Sequence, residues 1–120
     1  MYRIKSPYLV ILCLLLITGA LTAGDLPNWK SGATGYYTAQ KTALTSEKPF
    51  IVYFKTDWCG YCKKMDANYL STFQFSNFLY NIPKVVINPE KGQQEKALAR
   101  QYGVTGYPSF FILVPSLSNG

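Results

Sequence analysis

Phe50-Ile51-Val52-Tyr53-Phe54, followed closely by Trp58-Cys59-Gly60-Tyr61-Cys62-Lys63-Lys64, is the stretch that decides how this chain is read. The first five residues are β-branched and aromatic without a polar break, the pattern of a strand buried on both faces. Two thiols in a Cys-x-x-Cys spacing follow at the strand's C-terminal end, and Lys63, Lys64, Met65 and Asp66 carry on as a helix. A sulfur at the start of a helix meets unpaired backbone N–H groups and the positive end of the helix dipole. Both stabilise the thiolate, which is the attacking species in disulfide chemistry.

The neighbouring segments extend this pattern in both directions. Residues 24–35 are rich in turn formers and read as a lead-in with one aromatic anchor, Trp29. Tyr36 to Ser46 reads as a helix, with Tyr36, Ala39, Ala43 and Leu44 at helical spacing and Lys48-Pro49 as its stop. After the cysteines, Tyr69, Leu70, Phe73, Phe75, Phe78 and Leu79 continue an apolar pattern to Tyr80, and Leu70-Ser71-Thr72 divides it into two helices. Lys84-Val85-Val86-Ile87 reads as a second buried strand. Gln93 to Tyr102 reads as a helix with Ala97, Leu98, Gln101 and Tyr102 facing inward and Gly103 closing it. Ser109 to Val114 forms a third apolar run. Strands alternating with helices predict an α/β fold, a three-layer sheet with flanking helices and parallel early strands.

The 120 residues are 48% hydrophobic and 15% charged, which suits one globular domain. Arg3 and Lys5, the unbroken apolar run Tyr8 to Ile17, and the small residues of Thr18 to Gly24 make up a secretory signal over residues 1–23. Residues 24–120 are then the mature domain. The alternative is an uncleaved membrane anchor over residues 8–23, although the run is shorter than the ~20 apolar residues that a span prefers. Cys13 lies inside the run and is expected to leave with the signal. The formal net charge of +6 comes from dispersed cations rather than a stripe, which argues against nucleic acid as a partner. Aromatic residues at core spacing read as packing.

Cys59 and Cys62 then remain as the only thiols of the exported chain. So short a loop staples a fold poorly, because closing it removes little unfolded-state entropy. A redox-active pair is the better reading, with the disulfide itself as redox group and no other cofactor. Zinc would want about four ligands, and the sequence contains no histidine, so no metal site is expected. A Cu(I)-handling thiol pair and an inactive binding module stay open as alternatives.

On Trp58-Cys59-Gly60-Tyr61-Cys62-Lys63 together with the Gly-x-x-Gly-x-Pro segment Gly103 to Pro108, the chain resembles the thioredoxin superfamily over residues 29–114. More narrowly it resembles small exported, periplasmic thioredoxin-like disulfide reductases. That resemblance implies that Cys59 attacks and Cys62 resolves. Pro108 matches the family's cis-proline, which offers the backbone of Tyr107 to an extended substrate. Trp58, Gly60 and Tyr61 would complete the substrate surface, and Lys63 would add positive potential beside Cys59. The expected partners are protein disulfides and a thiol electron donor such as a membrane reductase, for a monomer without nucleic acid. Strongly oxidising relatives carry a histidine between the cysteines. Gly60-Tyr61 does not, which favours a reductant. The sequence departs from the family in two places. Tyr53 stands where many members place a buried carboxylate that moves the resolving thiol's proton, so water or Asp57 is left for that task and Lys84 loses its acidic partner. The family's last strand and helix also do not follow in this sequence, so that either it is a fragment or the sheet is minimal with one edge exposed.

Overall fold

The computed structural model describes residues 26–116; the signal or anchor expected over residues 1–23 lies outside them. The elements run β1 (Lys30–Ser31), α1 (Gly32–Ser46), β2 (Phe50–Phe54), α2 (Gly60–Met65), a π-helical turn (Asp66–Leu70), α3 (Phe73–Phe78), β3 (Lys84–Ile87), α4 (Gln93–Gln101) and β4 (Ser109–Leu113). They form a four-stranded sheet in the order β1-β3-β2-β4. β1 and β2 both lie parallel to β3, and β4 runs antiparallel to β2. The expected three-layer α/β architecture with parallel early strands is what forms.

Alternation along β2 divides the core into two. Phe50, Val52 and Phe54 join Val85 and Ile87 against Ala33, Tyr36, Ala39 and Ala43 of α1 and Leu98 and Ala99 of α4. Tyr53 faces the other layer, with Leu26 and Leu70 and the half-buried Trp29, Met65 and Val86. All five β2 residues are buried, as a run without polar breaks requires. Each large side chain withdrawn from water in this way contributes about 1.5–3 kcal/mol.

Several local expectations need correction. α1 begins at Gly32, because β1 and α1 take over the second half of the segment read as a lead-in. β1 is two exposed residues and carries no apolar alternation, so only its pairing with β3 reveals it. Leu44 is exposed although it shares the helical spacing of Tyr36, Ala39 and Ala43, and in α4 the buried residues are Leu98 and Ala99, with Ala97 and Gln101 outside. The break at Ser71-Thr72 does occur, and the Thr72 hydroxyl caps α3 by accepting from Phe75 N–H. Of the apolar residues from Tyr69 to Leu79, only Leu70 and Leu79 are buried. Gly103 has φ 66°, the left-handed position after a helix end that favours glycine. β4 is an edge strand among the described residues, with Ile112 and Val114 exposed.

Candidate active site

β2 delivers the chain to the site and α2 opens it. Cys59 is the N-cap of α2 in extended backbone conformation, and its Sγ accepts a hydrogen bond from Cys62 N–H at 3.1 Å. Cys59 and Cys62 form a disulfide with Cα atoms 5.2 Å apart, inside the range that a bridged pair adopts. Both cysteines are buried, Cys62 the more deeply. Trp58 and Tyr61 stand out beside them, 67% and 75% exposed. Gly60 is exposed, and a side chain there would meet open space.

Trp58 is held from two sides. Its Nε1–H donates to Glu90 Oε1 at 2.6 Å, and its ring stands edge-on to Tyr107 with centroids 6.0 Å apart. That contact brings the loop before β4 to the cysteine motif. The Tyr107–Pro108 peptide is cis, and Ser109 directly after it pairs with Phe54 at the end of β2. The residues singled out in the sequence, Trp58 to Cys62 with Tyr107 and Pro108, therefore gather at one end of the sheet. Lys63 is exposed on the next turn, its N–H bonded to the Cys59 carbonyl. Lys64 lies 5.8 Å over the Tyr61 ring in a cation–π contact.

Behind the disulfide, a cleft of about 720 Å³ is lined by Cys62 and by a polar group that sequence reasoning did not assemble. The Tyr53 hydroxyl donates to Asp66 Oδ1 at 3.0 Å, and Lys55 Nζ donates to Asp66 Oδ2 at 2.6 Å. Burial, reinforced by the adjacent Asp66 carboxylate, holds the Tyr53 phenol well above its ordinary pKa near 10.0. Tyr53 is thus a donor at all physiological pH and takes no proton from a thiol. Asp66 follows Cys62 by one helical turn, its own N–H bonded to the Cys62 carbonyl, so the carboxylate stands on the Cys62 side of the helix. Its signal in the sequence is a period match. Tyr53 and Lys55 lie two residues apart at the end of β2 and just beyond it, and Asp66 shares a helix face with Cys62.

Asp57 and Lys84 play other parts. Asp57 is largely exposed, pairs with Lys91 Nζ at 2.8 Å and accepts from Asn88. The hydrogen bond from Lys91 leads the causes that lower its pKa. Lys84 is buried, its pKa lowered by that burial, and its Nζ donates to the carbonyls of Leu79 and Ile82. Lys55 and Lys91 pair with carboxylates here, whereas Lys84 meets carbonyls. Thr56 is buried at the cleft wall, and its hydroxyl has no protein partner among the described residues. Within the same limits, no group of three or more His, Cys, Asp or Glu side chains converges to hold a metal ion. No helix there is long and apolar enough to cross a membrane.

Comparison with known proteins agrees with this geometry. The family model described as a thioredoxin-like domain matches residues 36–116. A mitochondrial thioredoxin domain-containing protein of Schizosaccharomyces pombe is 27% identical over 118 residues, which is 97% of this chain but 31% of that protein. The disulfide bond reductase DsbH of Chlamydia pneumoniae is 28% identical over 106 residues, 80% of this chain and 61% of that one. The chain thus spans less than two thirds of either relative. Among solved structures, a thioredoxin of Thermus thermophilus superposes with a TM-score of 0.62 at 28% identity, covering 74% of this chain and 67% of that one. The C-terminal domain of DsbD from Neisseria meningitidis superposes with a TM-score of 0.60 at 26% identity, covering 72% and 77%. With its fold, its bridged Cys-x-x-Cys pair and a family match over most of its length, the chain belongs to the thioredoxin-like domain family.

Proposed function

We propose that this protein is an exported thiol–disulfide oxidoreductase that reduces or exchanges protein disulfides through Cys59 and Cys62. The observation that carries the reading is the bridged pair at the opening of α2, with the Cys62 N–H already directed at Cys59 Sγ. That hydrogen bond, together with the helix N-terminus, favours negative charge on the Cys59 sulfur once the bridge is reduced. In the reduced protein the Cys59 thiolate attacks one sulfur of a substrate disulfide. The new S–S bond forms as the old one breaks, and the leaving sulfur departs as a thiolate that takes up a proton. Cys62 then loses its proton and attacks Cys59 Sγ, releasing the second substrate thiolate and restoring the Cys59–Cys62 bridge. Two electrons pass from the protein to the substrate, and a thiol donor returns them. The bridge is the redox group, with no other cofactor.

Asp66 receives the Cys62 proton, in place of the carboxylate that Tyr53 displaces. Tyr53 and Lys55 hold it at the cleft that Cys62 also lines. Trp58, Gly60, Tyr61, Tyr107 and Pro108 form the surface on which a substrate strand lies, and Lys63 adds positive potential. Export rests on residues 1–23 acting as a signal ahead of the domain at 24–120, with the periplasm as the destination and anchoring through residues 8–23 as the alternative; a monomer is the expected state. The similarity to a named disulfide bond reductase, and the absence of a histidine between the cysteines, support the reducing direction. Insulin-disulfide reduction by the full chain with a thiol donor tests the assignment. Cys59→Ser should abolish turnover, and full activity in that variant would overturn the reading.

A further inference from the structure

A second cleft opens beside the redox motif and differs from the first in charge. Its walls are Ala99 and Val104, its near end is Tyr107, and Lys91, Lys96 and Arg100 stand around it. Because Tyr107 also packs edge-on against Trp58, the groove starts at the substrate surface and leads away over α4. Lys96 and Arg100 lie four residues apart on that helix, on one face, where like charges repel. Among the described residues neither has an acidic partner, since the ion pairs found there are Lys55–Asp66 and Lys91–Asp57. Of the nearby carboxylates, Glu90 lines the groove itself and Glu95 does not. Glu95 accepts from Ala33 N–H at 2.9 Å, and Glu90 accepts from the Trp58 indole.

We propose that this groove selects substrates in which acidic residues flank the reactive cysteine, a specificity that rests on the oxidoreductase reading above. An extended peptide leaving the Tyr107 backbone can set an apolar side chain on Ala99 and Val104 and bring Asp or Glu to Lys96 and Arg100. The gain falls mainly on encounter and KM, because the cations meet the flanking residues and not the exchanging sulfurs.

The test uses the full chain and two peptides, each with one internal disulfide and identical except for an Asp/Glu or a Lys/Arg flank. At low ionic strength the acidic peptide should be reduced with a kcat/KM on the order of tenfold higher. The advantage should fade in 0.5 M salt, as expected for exposed charges over about a Debye length. Lys96→Gln with Arg100→Gln should level the two peptides, and Lys96→Glu with Arg100→Glu should reverse their order. Neither pair should alter the rate on a small uncharged disulfide or the reduction potential of the Cys59–Cys62 couple. Equal rates for the two peptides with the unmodified protein, or a preference that survives both double variants, would overturn the groove proposal while turnover of the small disulfide still upheld the oxidoreductase reading. No turnover of any disulfide would sink both.

Discussion

Tyr53 stands where the family resemblance leads one to expect a buried carboxylate, and Asp66 is the proposed substitute. A phenol here can give a hydrogen bond but cannot accept a thiol proton at neutral pH. Asp66, at the start of the π-helical turn that follows α2, receives hydrogen bonds from both Tyr53 and Lys55. Asp66→Asn keeps the shape and removes the base. Resolution of a preformed mixed disulfide by Cys62 should slow by about 10²-fold near neutral pH, at the lower end of what a positioned base supplies. The loss should shrink as pH rises and hydroxide deprotonates Cys62 directly, while the first attack by Cys59 changes far less. Stopped-flow measurement of the two steps separates them, and an unchanged resolution rate would remove Asp66 from the mechanism. Asp57 was visible in the sequence as a candidate acid because it lies two residues before Cys59. Asp66 was not, because its role depends on a strand face meeting a helix face.

Among the elements, those with a strong internal pattern were legible and those defined by tertiary pairing were not. β2 and β3 are apolar runs bounded by Pro49, Pro83 and Asn88-Pro89, and they form where the sequence places them. β1 is two exposed residues with no pattern of their own. It exists because Lys30 and Ser31 pair with Val85 and Val86. The start of α1 was hidden for a related reason, since its first turn relies on Glu95 of α4 for a partner to Ala33 N–H. Close approach of β1 and α1 also gives Gly35 a task that composition could not reveal. A Cβ on Gly35 would lie 3.0 Å from Lys30 Cβ and 3.1 Å from the Lys30 carbonyl carbon. Backbone cannot yield as a flexible side chain does, so Gly35→Ala should destabilise the fold by about 1–3 kcal/mol despite alanine's better helix propensity. Urea unfolding measures this, and a variant as stable as the parent would show that β1 can shift at no cost.

For the molecule as a whole, the alternation of strands and helices was enough to foresee the layers, while the charge arrangement had to come from the structure. Tyr53 and Tyr102 both have pKa values raised above the ordinary 10.0, chiefly by burial and then by hydrogen bonds to Asp66 and Tyr36 respectively. Below about pH 10 both phenols are protonated in the folded and unfolded states alike, and their contribution is fully present. Above it the unfolded chain releases protons that the folded chain retains, so stability falls as pH rises. Lys84 acts with the opposite sign, because its lowered pKa makes stability rise with pH as the ordinary value of 10.5 is approached from below. Denaturant midpoints from pH 8 to 11 should therefore drop steeply at the alkaline end. The drop should be shallower in Tyr53→Phe, and an identical alkaline profile in that variant would contradict the linkage.

Cys59, next to Trp58 at the sheet end that Tyr107 also reaches, is proposed as the attacking sulfur. The most direct measurement is the intact mass of Cys62→Ser after reaction with a disulfide-bonded peptide. A stable one-to-one adduct cleaved by thiol and mapped to Cys59 is the predicted result, with no adduct on Cys59→Ser. An adduct that maps elsewhere, or none at all under conditions where the unmodified protein reduces the same peptide, would contradict the account.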